Sequence, residues 1–271
     1  MHGSVKLDEY RIDSADRAKL SRFDPDDHAD LERAAAEAAM PDLLARMLDL
    51  QERLFAGRKR SLLIVLQGRD AAGKDGTIKH VMGGFNPLGT RVVAFKAPSE
   101  LERSHDFLWR VHAVVPPAGH VAIFNRSHYE DVLVPGIHGL LSRKQLAYRH
   151  EHIRSFEALL ADAGTAIIKC FLHISKREQR ERLQARLDDP EKRWKFDPAD
   201  LDARAAWDRY TELYEGILEK TSTDEAPWYV IPADRKWFRN YLVAQIVVRT
   251  LEAMKLSYPD PPPGLDGVTI D

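Results

Sequence analysis

A loop with the spacing of a phosphate-binding motif lies in the first half of the chain. Residues 68–74 read Gly-Arg-Asp-Ala-Ala-Gly-Lys, the G-x-x-x-x-G-K pattern, between an apolar run of strand length at 61–66 and a predicted helix at 75–82. Glycines let such a backbone turn tightly and bring its N–H groups, together with the positive end of the helix dipole, up to an anion. We therefore predict that phosphate is bound by Lys74 and by the loop residues Gly68, Arg69, Ala71, Ala72, Gly73, Asp75 and Gly76. The alternative is a chance Gly-Lys pair in a solvated turn.

The same loop carries an aspartate, which points to a metal ion. The lysine of this motif is usually followed by a Ser or Thr that holds Mg²⁺, but here the next residue is Asp75. Inside the loop, the Asp70 carboxylate would repel phosphate unless a cation lay between them. We therefore expect Asp70 to bind Mg²⁺, with Mn²⁺ as an alternative, directly or through a water molecule.

A second polar group follows another apolar run. Asn125 and Arg126 come directly after the predicted strand 120–124, and Glu130 and Asp131 lie a few residues further on. An arginine at the end of a strand can clamp phosphate through its planar guanidinium. In many enzymes with this loop, the end of a neighbouring strand supplies an Asp that helps to place Mg²⁺. Asn125 offers a carbonyl oxygen but no charge, so Glu130 and Asp131 either replace that carboxylate or cap the next turn. The predicted metal ligands are Asp70, Asn125 and Glu130.

Positive charge is concentrated in one stretch of the chain. Residues 143–195 contain 13 Lys/Arg and 8 Asp/Glu, whereas the whole chain has a net charge of −2. The densest part comprises Arg177, Arg180, Arg182 and Arg186, followed by Lys192-Arg193-Trp194-Lys195. A single arginine there is more simply a solvated partner of Glu178 or Glu181, but the cluster favours a helical lid over phosphates. We predict phosphate contacts for Arg182, Arg186 and Arg193. The cluster would also suit a long polyanion.

Composition narrows the class of protein. The chain has 271 residues, enough for one large α/β domain with appendages, and its 40 Lys+Arg are balanced by 42 Asp+Glu. This balance argues against a nucleic-acid binder, so any anion site is local. No apolar stretch reaches the length of a membrane span, and the single Cys170 lies in an apolar run, as expected for a buried thiol in a reducing compartment. We expect a soluble, cytoplasmic protein.

Strand-like and helix-like segments alternate along the chain. Apolar runs of strand length occur at 61–66, 91–95, 120–124, 166–173 and 228–232, with helical patterns between them. This alternation predicts the α/β class, with a five-stranded parallel sheet covered by helices on both faces. In such sheets ligands bind beyond the carboxyl ends of the strands, where the three polar groups described above fall.

The same patterns predict the boundaries of the domain. We expect a polar N-terminal arm at 1–30 on the surface or on a partner subunit, a domain at 31–256 with its lid at about 175–200, and a Pro-rich tail at 257–271. Within the domain we predict a helix with Pro41 in its first turn and Gly57 at its end, and a helix from Ser99 to His112. A further helix after Asp197-Pro198 should place Trp207, Tyr210 and Tyr214 in the core.

Four sequence blocks together carry a resemblance to a known family. They are Gly-Arg-Asp-Ala-Ala-Gly-Lys-Asp-Gly at 68–76, Phe-Asn-Arg-Ser-His-Tyr-Glu-Asp-Val-Leu-Val at 124–134, Lys-Arg-Trp-Lys-Phe at 192–196, and Ala-Pro-Trp-Tyr-Val-Ile-Pro-Ala-Asp at 226–234. The chain resembles the polyphosphate kinase 2 family from about Leu43 to Leu256. The resemblance implies a P-loop kinase-like three-layer α/β/α core with a helical lid, which transfers a phosphoryl group from inorganic polyphosphate to a nucleotide with Mg²⁺.

The resemblance also assigns roles to individual residues. Asp70 would hold the metal, and Lys74, Arg126 and the lid residue Arg186 would contact phosphate as the catalytic set. Much of the family has Asp where this chain has Asn125, and the Asn-Arg-Ser-His-Tyr-Glu-Asp form is similar to the subgroup that accepts both AMP and ADP. The expected partners are therefore inorganic polyphosphate and AMP, ADP or ATP.

The expected reaction is in-line attack by the terminal phosphate oxygen of AMP or ADP on the end of polyphosphate. Two alternatives stay open from the residues alone: an ATP-dependent nucleoside monophosphate kinase, and a non-catalytic module that binds polyanions. Asp70 argues against the second, since a pure anion binder gains nothing from a carboxylate in its loop. The long amphipathic helices and the polar arm favour a homo-oligomer.

Overall fold

A five-stranded parallel sheet forms the centre of the molecule. The computed structural model describes residues 5–264 and 268–270, and its strands lie side by side in the order β2-β3-β1-β4-β5. The strands are β1 (Ser61–Gly68), β2 (Thr90–Ala94), β3 (Val121–Asn125), β4 (Thr165–His173) and β5 (Trp228–Pro232). The five strands and their parallel arrangement confirm the fold class predicted from the alternating pattern.

The central strand β1 leads directly into the predicted phosphate loop. All of its residues are buried, as expected for a parallel strand covered on both faces. It pairs with β3 on one side, where Leu66 lies opposite Asn125, and with β4 on the other, where Gly68 lies opposite Leu172. Because parallel strands end at the same edge of a sheet, the segments that follow β1, β3 and β4 meet there.

Ten α-helices accompany the sheet in the described part of the chain. They are α1 (Arg33–Gly57), α2 (Lys74–His80), α3 (Glu100–Arg103), α4 (Trp109–His112), α5 (Glu130–Ile137), α6 (Arg143–Asp162), α7 (Lys176–Asp188), α8 (Ala199–Ala205), α9 (Trp207–Thr221) and α10 (Lys236–Ala253). The apolar faces of α1 and α10 form one core with one face of the sheet, and those of α5, α6 and α9 form a second core with the other face. These layers are the predicted three-layer α/β/α architecture.

Two predicted helix boundaries are wrong. Pro41 lies in the interior of α1 and not in its first turn, because the alanine-rich stretch 34–39 has high helix propensity and starts the helix at Arg33. The segment 99–112 is not one helix. Ser99 forms the predicted capping box, but the chain turns after Arg103, where Asp106 Oδ1 accepts a hydrogen bond from the Leu108 N–H at 2.9 Å.

The helix predicted after Asp197 is also divided. Asp197 caps its start by accepting a hydrogen bond from the Ala199 N–H, but the chain breaks at Ala206 into α8 and α9. The break makes Trp207 the first residue of α9. Its ring then lies at the edge of the core beside the phosphate loop, whereas Tyr214 is buried as predicted.

The N-terminal segment packs into the fold more deeply than its polar composition suggests. Tyr10 and Ile12 are buried, and the Ile12 N–H donates to the Trp228 carbonyl at 2.9 Å. Arg11 also forms an antiparallel bridge to Tyr229, so the segment covers the outer edge of β5. Residues 1–4 of the predicted arm, and residues 265–267 and 271 of the predicted tail, lie outside the described residues. Within the ranges that are described, no helix is both long and apolar enough to cross a membrane.

Candidate active site

The predicted phosphate loop connects the end of β1 to the start of α2. Gly68, with φ of +152°, lies so close to β4 that a Cβ atom there would be 2.8 Å from the Leu172 carbonyl oxygen. Gly73 and Ala71 also have positive φ angles, of +107° and +61°. Glycine adopts this backbone without strain, whereas Ala71 adopts it at a cost of ~1–3 kcal/mol. The loop is therefore a defined, partly strained turn between two rigid elements and not a solvated one.

Lys74 is folded back onto the loop that precedes it. Its side chain is 9% exposed, and Nζ donates to the carbonyl oxygens of Gly68 at 2.7 Å and of Arg69 at 3.2 Å. Burial lowers the pKa of Lys74, although Asp70 opposes this effect. No carboxylate in the described ranges lies within ion-pair distance of Nζ. The ammonium group rests on neutral carbonyls, whereas the lysine of this motif contacts the outer phosphate oxygens when phosphate is bound.

Asp70 and Arg126 meet across the sheet edge. Arg126 Nη2 donates to Asp70 Oδ1 at 2.9 Å, and the Arg126 N–H donates to the Leu66 carbonyl at 3.0 Å. Arg126 has φ of +60°, an uncommon angle for a residue with a side chain. Burial alone would lower the pKa of Arg126, but Glu130 and Asp70 outweigh it and raise the pKa. The structure thus brings together two of the predicted catalytic side chains, which lie in the segments that follow β1 and β3.

The other two predicted metal ligands lie beside this pair. Asn125 Nδ2 donates to Asp75 Oδ1 at 2.8 Å, and Gln67 Nε2 donates to Glu130 Oε1 at 3.0 Å. An amide at position 125 can donate to Asp75, whereas a carboxylate there would repel it. Glu130 is also the first residue of α5, so its position agrees with both alternatives left open from the sequence.

Asp131 has a separate partner. Its carboxylate accepts from Arg110 Nη2 at 2.9 Å, in a pair that is largely buried. Asp131 is therefore held by Arg110 and is not directed at the loop.

The predicted lid helix α7 lies against the phosphate loop. Gln179 Nε2 donates to the Asp70 carbonyl at 3.1 Å. Arg182 Nη1 donates to the carbonyls of Ala71 and Ala72, Nη2 donates to the carbonyls of Ala233 and Asp234, and Nε donates to Glu178 Oε1. Because these bonds use all five N–H donors of the guanidinium, Arg182 ties α7 to the loop and to the end of β5. In this geometry Arg182 has no free N–H donor for the phosphate contact that the sequence predicts.

Arg186 and Arg193 make fewer hydrogen bonds than Arg182. Arg186 Nη1 lies 3.3 Å from the Lys195 carbonyl oxygen and 3.5 Å from Asp200 Oδ2. Burial raises the pKa of Asp200, and the nearby charge of Asp70 adds to this effect, so the Arg186–Asp200 pair lies within electrostatic reach of the loop. Arg193 Nε donates to the Leu187 carbonyl inside the lid segment itself. Its predicted phosphate contact remains a prediction.

Arg69 points away from the loop. Its guanidinium lies 3.7 Å from the centre of the Trp207 ring, and Nη2 donates to the Trp207 carbonyl and to Thr211 Oγ1. Burial lowers the pKa of Arg69 to about 10. Only the backbone of Arg69 is therefore directed at the predicted phosphate site, while its side chain holds α9 against the loop.

One residue beside the loop was not identified from the sequence. Arg239 of α10 is 2% exposed, and its Nη1 donates to the Ala72 carbonyl at 3.3 Å. In the sequence it is only one charged residue in an amphipathic helix. Its position between the buried residues Phe238 and Leu242 could have indicated an inward-facing arginine.

Known proteins are similar to this chain over most of its length. The family model for polyphosphate kinase 2 matches residues 30–259. The AMP/ADP-polyphosphate phosphotransferase of Meiothermus ruber is 51% identical over 267 residues, which cover 98% of this chain and 100% of the relative. The ADP-polyphosphate phosphotransferase of Rhodopseudomonas palustris is 39% identical, with 96% of this chain and 94% of the relative covered.

A solved structure shows the same fold. The crystal structure of polyphosphate kinase 2 from Arthrobacter aurescens TC1 has a TM-score of 0.87 and 41% sequence identity to this chain, and the match covers 93% of each chain. The resemblance carried by the four sequence blocks is confirmed over almost the whole folded region. The chain therefore belongs to the polyphosphate kinase 2 family.

Proposed function

We infer that this chain is a phosphotransferase that moves a phosphoryl group from inorganic polyphosphate to AMP and ADP. The observation that carries the inference is the meeting of Lys74, Asp70 and Arg126 at one edge of the sheet, with Arg126 Nη2 2.9 Å from Asp70 Oδ1. The substrate range follows the Meiothermus ruber relative, which is named for both AMP and ADP. The relatives named above give no support to the ATP-dependent kinase or to the non-catalytic module.

Phosphoryl transfer requires little covalent chemistry from the protein. The terminal phosphate oxygen of the nucleotide forms a bond to the terminal phosphorus of polyphosphate, and the bond from that phosphorus to the next bridging oxygen breaks, so the shortened chain leaves with the electron pair. The acceptor oxygen is already ionised at neutral pH, and no strong general base is required. Alignment of the two phosphates and neutralisation of the charge that spreads over them therefore supply most of the rate enhancement.

The residues of the loop and of β3 suit these two tasks. Lys74 can exchange its bonds to the Gly68 and Arg69 carbonyls for bonds to phosphate oxygens, because those carbonyls are neutral and easily outcompeted by an anion. Arg126 has a half-exposed side chain whose planar fork can bind two phosphate oxygens at once. Its bond to Asp70 fixes the orientation of the guanidinium before substrate arrives.

A divalent cation fits the oxygen donors at this edge. Asp70 and Glu130 supply carboxylates and Asn125 supplies an amide oxygen, and hard oxygen donors suit Mg²⁺ or Mn²⁺. The described residues contain no group of three or more His, Cys, Asp or Glu side chains arranged to hold a metal. Mg²⁺ is usually held by one or two carboxylates together with waters and substrate phosphates. When bound, the ion would neutralise charge between Asp70 and the phosphates.

The lid supplies the remaining positive charge. Arg186 makes contacts of 3.3 and 3.5 Å, which are long for hydrogen bonds and cost little to break. It can therefore turn toward a phosphate, unlike Arg182, whose five donors are engaged. We assign Arg186 to the charge that develops in transfer, and Arg193 to the outer part of the polyphosphate chain.

The function is tested by incubating the purified protein with ADP, long-chain polyphosphate and Mg²⁺, with no other phosphoryl donor, and measuring ATP. We expect ATP from the wild type and nearly none from Asp70→Asn or Lys74→Ala, both folded by circular dichroism. Lys79→Ala is the matched control, because Lys79 is an exposed lysine on α2. Turnover retained in both loop variants would reject this site.

Formation of a homo-oligomer, also predicted, is measured on the same samples by light scattering.

A further inference from the structure

A buried guanidinium lies beneath the phosphate loop. Arg239 is 2% exposed, and its Nη1 donates to the Ala72 carbonyl at 3.3 Å. Its Nε and Nη2 both donate to Asn240 Oδ1, at 3.2 and 2.9 Å. All of these acceptors are neutral, so each guanidinium nitrogen of Arg239 has a hydrogen-bond partner but none of these partners carries a negative charge.

No described Asp or Glu forms an ion pair with Arg239. Buried cations in proteins are normally paired with an acid, because an uncompensated charge in the interior costs several kcal/mol. Lys169 follows this rule, because its Nζ lies 2.5 Å from Glu157 Oε2. Arg239 does not, and the other buried cations without an acidic partner among the described residues, Arg69 and Lys74, also lie at the phosphate loop.

The neighbours of Arg239 add to its excess charge. Burial and, to a smaller extent, the positive charge of Arg182 lower the pKa of Arg239 to about 10. Burial also lowers the pKa of Lys236, and Arg182 and Arg239 add to that effect. The acid in this group is Glu178, which accepts from Arg182 Nε at 2.8 Å. Arg239, Arg182 and Lys236 thus form a group of positive charges on this side of the loop.

The loop backbone is shaped around Arg239. A Cβ atom on Gly73 would lie 1.9 Å from Arg239 Nη1, and one on Gly76 would lie 3.1 Å from Nη2. No side chain could occupy position 73 without displacing the guanidinium. The charge therefore lies directly behind the backbone turn that, on the proposed function, faces the phosphates.

We propose that Arg239 is a positioning residue whose missing counter-ion is the phosphate bound on the other side of the loop. It holds the Ala72 carbonyl and adds a positive charge behind the turn, and it acts through the loop without touching the substrate. The inference rests on the proposed binding of polyphosphate at residues 68–74. Arg239 therefore destabilises the free protein and strengthens phosphate binding, whereas an ordinary structural arginine stabilises the free protein.

The test compares Arg239→Met with the wild type by thermal unfolding, with and without inorganic tripolyphosphate and Mg²⁺. We expect the unliganded Tm of the variant to equal or exceed that of the wild type, and its ligand-induced rise in Tm to be much smaller. In turnover assays the KM for polyphosphate should rise about tenfold, the effect expected for one buried charge near an anion, with a smaller change in kcat.

Three further variants sharpen the test. Arg239→Gln, also neutral, keeps a donor for the Ala72 carbonyl and gives the same readout if the Met variant does not fold. Arg239→Lys restores the charge and should restore most of the ligand-induced rise. Arg249→Met is the matched control on the same helix: Arg249 pairs with Asp8 at 2.8 Å, and its loss should leave the ligand-induced rise unchanged.

The outcomes separate this proposal from the proposed function. A wild type that shows no ligand-induced rise would contradict phosphate binding at the loop, and the inference about Arg239 would fail with it. A normal rise in the wild type together with an equal rise in Arg239→Met and Arg239→Gln would overturn the role of Arg239 alone. It would identify Arg239 as an ordinary structural residue.

Discussion

Two buried positive charges in this molecule have opposite surroundings. Lys169, in the middle of β4, is enclosed by Glu157 Oε2 at 2.5 Å, the Thr221 carbonyl at 2.6 Å and the Tyr129 hydroxyl at 3.1 Å. Lys74, at the phosphate loop, is held only by two neutral carbonyls. Their burial is similar, and the difference lies in whether an acid is present.

The difference distinguishes a structural charge from a binding charge. Glu157 also accepts from His128 and from the Tyr129 hydroxyl, and its carboxylate balances the charge of Lys169 within the protein. Lys74 and Arg239 lack such an acid, and an anion from outside can supply the missing charge. Replacing each kind of cation should therefore have opposite effects on stability and activity.

The largest expected effect is on activity at the loop. Lys74→Met should lower kcat/KM for polyphosphate about 10³-fold, because the charge that the phosphates meet is lost. Its free energy of unfolding should not fall, since the variant removes a buried charge that has no acidic partner. Steady-state ATP formation and urea unfolding measure the two quantities. Activity above a tenth of the wild-type value would contradict this prediction.

The next effect is on stability in the closed network. Lys169→Met should lower the free energy of unfolding by about 3 kcal/mol, because it leaves Glu157 buried without a counter-charge. The double variant Lys169→Met/Glu157→Gln removes both charges and should recover part of this loss. Urea unfolding followed by circular dichroism measures both. A double variant less stable than Lys169→Met would show that Glu157 is not the source of the penalty.

Arg182 and Arg186 extend the comparison to the lid. Arg186→Ala should lower kcat about 10²-fold with little change in Tm, because its contacts in the free protein are long. Arg182→Ala should instead lower the free energy of unfolding by about 2 kcal/mol, since it leaves buried carbonyls of the loop and of the β5 end without donors. Equal effects of the two substitutions on both quantities would remove the distinction between them.

The smallest effect concerns pH. His150 of α6 is buried with no hydrogen-bond partner for either ring nitrogen among the described residues, and burial lowers its pKa from 6.5 to about 4. The unfolded chain therefore binds a proton at His150 as pH falls below about 6.5, while the folded chain does not. Between pH 7 and pH 5 this should remove about 2 kcal/mol of stability.

Between pH 7 and pH 5, His150→Phe should lose less of its free energy of unfolding than the wild type does. Urea unfolding of the wild type and the variant at pH 7 and pH 5 measures the difference. His120→Phe is the control, because His120 is only partly buried. The same loss of stability in the wild type and in His150→Phe would exclude His150 as its source.

Much of the fold could be predicted because its signals are local in sequence. The five strands are apolar runs bounded by turn residues, and the loop at 68–74 carries its own spacing. Parallel pairing then brings Asn125 and Arg126 to the edge where β1 ends. The position of the candidate site could be predicted from these facts without knowledge of any side-chain contact.

The partners of the arginines could not be predicted in this way. Arg182 and Arg186 are one helical turn apart and look alike in the sequence. What separates them is that Arg182 meets carbonyls of the loop and of the β5 end, which are distant in the chain. Arg239 is a similar case, because its environment is set by Gly73 and Gly76. The packing of Tyr10 and Ile12 onto β5 was missed since these residues are isolated in a polar stretch.

A crystal structure of the protein with tripolyphosphate and Mg²⁺ is the most direct test of the account. It shows whether a bound phosphate supplies the negative charge that Lys74 lacks and Lys169 already has. We predict phosphate oxygens against the backbone of residues 68–74, Lys74 Nζ moved from the Gly68 carbonyl to a phosphate, and Lys169 unchanged on Glu157. Phosphates bound elsewhere, with Lys74 still on the Gly68 carbonyl, would contradict it.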